Sequence, residues 1–168
     1  MPDVRTKPDL STTESDLKAL AAAANNLNNL TDKLTEHVTQ IESVINTLNL
    51  GLKVSVIVSS YGEEEEPWAS HDVRLCYNKV DGKWGFEIEE FDTDEQYAAG
   101  RYLNYHSWAF RDAPRSLRLE VVHRIPELIK AMVKEAEQVT SRFAEKLEDA
   151  KSIASTVFKP ALDAPVKK

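Results

Sequence analysis

The sequence predicts an α+β fold in which two long antiparallel, coiled-coil-like helices flank a three-stranded antiparallel β-meander packed at one end. Three observations predict it. Apolar residues recur every seven residues from Leu17 to Leu52, the period drops to two between Leu52 and Ile88, and a second helical period runs from Leu117 to Val157.

Residues 1–10 hold two prolines and little apolar material and read as a flexible tail. Ser11 and Glu14 have capping-box spacing, so the first helix is expected to begin there. Leu17, Ala24, Val38, Ile45 and Leu52 occupy one seam position, and Leu20, Leu27, Leu34, Ile41 and Leu48 the other. Thr31 is the polar exception, while Asn25, Asn26, Asn28 and Asn29 fall off the seam. A helix over residues 12–49 is on the order of 55 Å long at about 1.5 Å per residue, more than a compact domain of this size needs, so it must pair with something. Gly51 stands just past its expected end.

Leu52, Val54, Val56 and Val58 then alternate with more polar neighbours, as on a strand with one buried face. After an acidic loop, "YGEEEEPW", Val73, Leu75 and Tyr77 repeat the pattern, and Trp84, Phe86 and Ile88 repeat it again. Asp81-Gly82 between the last two is a tight-hairpin signal. The four glutamates read as a solvated loop that discourages edge pairing, because adjacent acids lack the spaced ligands of a calcium loop. Residues 91–110 are read as irregular, with a fourth edge strand around "YLNYHSW" as the alternative.

Asp112 lies at a capping position, Pro114 suits a first helical turn, and apolar residues recur at Leu117, Val121, Ile125, Leu128, Met132, Val139, Phe143, Leu147, Ala150 and Val157. Pro126 interrupts this helix. It lacks an N–H and crowds the carbonyl four residues back, which costs roughly 3 kcal/mol in a helix interior, so a kink is expected there. Trp84, Phe86, Val121 and Ile125 are expected to share one core. The helix should end near residue 158, leaving 159–168 as a second flexible tail and 11–158 as a single α-β-β-β-α domain.

With 168 residues, 42% hydrophobic and 29% charged, the chain has an ordinary globular composition. No apolar run approaches the roughly 20 residues that span a bilayer, and the polar amino terminus lacks a signal-like apolar stretch, so a cytoplasmic protein without membrane contact is expected. Cys76 is the only cysteine, which excludes an internal disulfide and a Cys-based zinc cluster. The net charge of −7 argues against nucleic acid as a partner. Its distribution is uneven: residues 51–97 hold 12 acids against 4 bases, residues 98–130 hold 6 bases against 3 acids.

That basic stretch contains the candidate binding residues. Arg115 and Arg118 lie three apart near an expected helix start, with Arg111 just before and Tyr102, His106 and Trp108 in the aromatic run upstream. Helix amides and arginines together favour an anion, and Trp and Arg are strong interface anchors. The plain structural reading is that the arginines pair with Glu87, Glu89, Glu90 and Asp92 of the sheet. The four histidines show no metal-ligand spacing, and the five glycines form no phosphate-binding loop. His71 with Asp72, or His106 with Glu95, are the conceivable acid–base pairs. No catalytic residue, cofactor or metal is assigned. The expected function is a non-enzymatic binding or regulatory protein with a protein partner, its seam also suiting a homodimer; the alternative is an anionic-ligand sensor or small enzyme with a pocket under residues 97–111.

Overall fold

The computed structural model describes residues 10–63, 66–80, 82–94 and 102–162. The chain divides into two compact units, Met1–Thr47 and Leu48–Lys168. The first contains one helix, α1, Leu10–Thr47, of 38 residues. It begins a residue before Ser11, so the expected cap lies inside the first turn. Val38 and Ile45 are its buried apolar residues, whereas Leu17, Leu20, Leu27 and Leu30 are exposed. After its end the left-handed backbone falls first at Asn49, with φ +49°, and again at Gly51, with φ +62°. Asparagine tolerates that conformation better than most residues, and so serves the role expected of the glycine.

The second unit is a sheet with helical cover. Its strands are β1 (Val54–Glu63), β2 (Glu66–Val80), β3 (Lys83–Asp94) and β4 (Tyr102–Ala109), antiparallel in the order β1-β2-β3-β4. The expected meander of three strands therefore has a fourth, and the segment read as irregular supplies it. The first hairpin also extends further than expected, because Glu63 pairs with Glu66 and most of "YGEEEEPW" is strand. The second closes with Val80 opposite Lys83, and Gly82 takes φ +83° as its two-residue loop requires.

The register shifts between Gly62 and Glu63 and at two bulges among the described residues. On β1 an extra residue, Val58, falls between the pairs Ile57–Arg74 and Ser59–Val73. On β4, Asn104 and Tyr105 together oppose Phe91, between the pairs Glu90–His106 and Asp92–Leu103, with Asn104 at φ +49°.

The expected second helix is broken into pieces. Phe110–Asp112 form a 3-10 turn, so Asp112 does not cap a helix; Pro114 occupies the cap position of α2, Arg115–Val121. A second 3-10 turn, Val122–Arg124, joins α2 to α3, Ile125–Leu162. The cause is Pro126. In a continuous helix it would donate to the Val122 carbonyl; the Ile125 N–H does so instead, tightening the joint into 3-10 geometry. The helix continues to Leu162, past residue 158 and past Pro160. Among the described residues no helix is long and apolar enough to cross a membrane.

Leu117, Val121, Ile125, Leu128 and Met132 are buried and form one stripe across the joint. They cover the sheet face that carries Val54, Val73, Leu75, Tyr77, Phe86 and Ile88, all buried. The helical segment is also tied down by polar bonds: Ser59 Oγ donates to Glu120 Oε1 at 2.5 Å, and Arg124 donates to the Ile57 carbonyl at 2.9 Å. Of the expected core quartet, Phe86, Val121 and Ile125 are buried, and half-buried Trp84 stacks on Tyr77 at 5.4 Å. Burying a large apolar side chain contributes about 1.5–3 kcal/mol, so this face holds most of the unit's stability.

Candidate functional site

The outer strand β4 carries side chains alternately to both faces. Opposite Glu90 and Ile88 of β3 stand His106 and Trp108, two residues apart and therefore on one face. Their rings stack with centroids 5.6 Å apart and planes 20° apart; His106 is exposed and Trp108 half-buried. Directly after them the chain turns. Phe110 and Ala113 are buried and pin this corner, and the Ala113 N–H donates to the Ala109 carbonyl at 3.2 Å.

The pinned corner presents arginines. The Arg111 side chain is 75% exposed and lies 3.7 Å from Asp112. Arg115, the first residue of α2, is exposed, and Arg118 one turn later is half-buried. Because α2 is only seven residues long, its dipole adds little, and the positive field here comes from the guanidinium groups. The backbone of Tyr102 opens β4 opposite Thr93; its side chain lies outside the described residues, as do Tyr97 and Arg101.

The sheet acids have hydrogen-bond partners within the sheet. Glu87 accepts from Asn78 at 2.9 Å, and Glu89 accepts from the Tyr105 hydroxyl at 3.0 Å. Glu90 and Asp92 hold His71: Nδ1 lies 2.8 Å from Asp92 and Nε2 lies 3.1 Å from Glu90. Asn104, on the bulge, donates to the other Asp92 oxygen at 2.7 Å. Thus His71 is paired across the hairpin with Asp92 rather than with its sequence neighbour Asp72, and Glu95 lies outside the described residues. The cluster shares a face with His106, since Glu90 stands directly opposite it.

The electrostatics follow. The Asp92 hydrogen bond and the charge of Glu90 raise the pKa of His71 above its ordinary 6.5, against some burial. The donors Asn104 and His71 lower that of Asp92. Both imidazole nitrogens face carboxylates, so His71 serves as a cross-strand tie and has no nitrogen turned to a substrate. On the opposite face, burial and then the charge of Glu89 raise the Tyr105 phenol to about 12. Burial likewise pushes the Cys76 thiol far above its usual range.

A shallow groove of about 320 Å³ lies between β1 and α3, lined by Lys53, Val54, Ser55, Ala131, Lys134, Glu135 and Gln138. His106, Tyr102 and Arg115 take no part in it. Among the described residues no group of three or more His, Cys, Asp or Glu side chains is arranged to hold a metal ion. No protein-family model, curated protein or solved structure matches the chain.

Proposed function

We propose that the chain is a non-enzymatic binding protein whose recognition surface is the corner where β4 turns into α2, and whose partner is a protein presenting an acidic segment. The observation that carries this reading is the His106–Trp108 stack on an outer strand, followed within seven residues by the exposed Arg111 and Arg115. An aromatic anchor beside guanidinium groups is the combination that supplies much of the energy at protein interfaces. Arg118, one turn after Arg115 on α2, adds to this surface. The buried Phe110 and Ala113 favour it further, since a pinned corner loses little entropy on binding. The engagement of both His71 nitrogens by carboxylates supports a structural use of the most base-like group nearby. The long helices serve as a coiled-coil scaffold, and a cytoplasmic setting accompanies this reading.

Affinity capture from an extract of the native cell tests it, with wild-type protein beside Arg111→Ala/Arg115→Ala and Arg115→Ala/Arg118→Ala variants. Proteins held by the wild type should fall at least tenfold on both variants while the melting temperatures stay unchanged. Equal retention by the Arg111→Ala/Arg115→Ala variant, whose two side chains are exposed, overturns the proposal.

A further inference from the structure

The first half of α1 has an unusual surface. Leu17, Leu20, Leu27 and Leu30 are 60%, 64%, 47% and 56% exposed. Residues 19–31, "ALAAAANNLNNLT", contain no Asp, Glu, Lys, Arg or His. A solvent-facing helix normally carries charges on its open faces. This one has asparagines outside its seam and, before Thr31, only alanine and leucine along it.

We propose that this stretch is the interface with a second copy of the same chain, and that the two α1 helices cross it antiparallel, with a two-fold axis at Ala22. Charge favours a like partner. In a two-fold contact, charges near the axis meet their own copies, so a chain of net charge −7 meets itself with least repulsion through a neutral segment. Layer volumes favour the antiparallel direction. A parallel pair sets Ala24 against Ala24 between two leucine layers, leaving a narrow layer between wide ones. The antiparallel pair sets Leu17 against Leu27 of the second copy and Leu20 against its Ala24, so large meets large at the ends and large meets small beside the axis. Ala21 and Ala23 flank the axis and allow the backbones close approach. Glu14 and Asp16 then face Leu30 and Asn28 of the second copy, respectively, so no like charges oppose, and Glu14 is already held by Lys18 at 2.7 Å. The inference is independent of the β4–α2 corner.

Cysteine cross-linking decides it, since Cys76 is buried and does not compete. Leu17→Cys and Leu27→Cys variants are kept reduced, and each alone and their equilibrated mixture are then oxidised in parallel. In the antiparallel dimer the mixture should form the 17–27 disulfide at least tenfold faster than either variant forms its own. Faster self-linking of Leu17→Cys would indicate a parallel pair and overturn the proposal. A monomeric mass in sedimentation, with no link in any sample, would also overturn it. Leu20→Glu should convert the dimer to monomer with unchanged helicity, whereas Arg111→Ala/Arg115→Ala should leave the dimer intact; a persistent Leu20→Glu dimer contradicts the assignment.

Discussion

The two faces of the sheet solve the same problem with different chemistry. One is apolar: Val73, Leu75, Tyr77, Phe86 and Ile88 are buried, beneath the α2–α3 stripe. The other is polar yet also withdrawn from water. Cys76, Glu87, Glu89 and Phe91 are buried there, with Asn78 and Tyr105 donating to the two glutamates and the Arg74 guanidinium 4.4 Å from the Phe91 ring centroid. An apolar face is stabilised in proportion to area and tolerates similar shapes. A face of buried carboxylates is stable only while each has its donor, and so it specifies its neighbours more strictly.

The largest effect should come from the apolar face. Leu75→Ala should cost about 2–5 kcal/mol in unfolding free energy, read from the denaturant midpoint, because a fully buried side chain leaves a cavity between sheet and helix. On the polar face, Tyr105→Phe takes the phenolic donor from the buried Glu89, and should cost about 1–3 kcal/mol. The contrast sharpens in the double variant. Glu89→Met/Tyr105→Phe should be more stable than Tyr105→Phe alone, since removing both partners leaves no orphaned charge. If the two costs simply add, the donor–acceptor account of this face fails.

The smallest effect belongs to His71, whose side chain is 43% exposed. Exposed ion pairs contribute about 0.2–1 kcal/mol, so His71→Gln should shift stability by less than 1 kcal/mol. Its signature is the pH dependence. With the His71 pKa raised, its contribution is complete below 6.5 and is lost as pH rises through the folded-state value. With the Asp92 pKa lowered, its contribution is present above 3.8 and is lost as pH falls through the folded-state value. The tie is therefore strongest between those limits, and a wild-type stability profile across them should flatten in His71→Gln.

Much of this was legible in the residues themselves. Asp81-Gly82 implied a two-residue loop, and such a loop dictates the register of the whole hairpin: His71 lies ten residues before it and Asp92 ten after it, so their pairing follows from the turn. Asp72, although adjacent in sequence, points to the opposite face, because neighbours on a strand alternate. Pro126 was legible as a break, and the 3-10 joint is the form that break takes. The strand β4 was obscured for a physical reason. Its bulge at Asn104 and Tyr105 shifts the alternation midway, so residues 102–109 never show an unbroken period of two. The Val58 bulge likewise interrupts the face predicted from Val54, Val56 and Val58. In the candidate site, the arginine and aromatic composition was visible in advance, but the His106–Trp108 stack depends on both residues lying on one strand, and was not.

The sealed position of Cys76 has a practical consequence. Its sulfur is inaccessible in the folded chain and its thiolate is suppressed by the surrounding apolar groups and Glu89. A thiol-specific reagent in solution therefore reacts only during the moments when the strands part. The rate of labelling counts those openings, and its dependence on reagent concentration separates how often they happen from how long they last. Without any engineered residue, the chain contains a reporter of its own breathing.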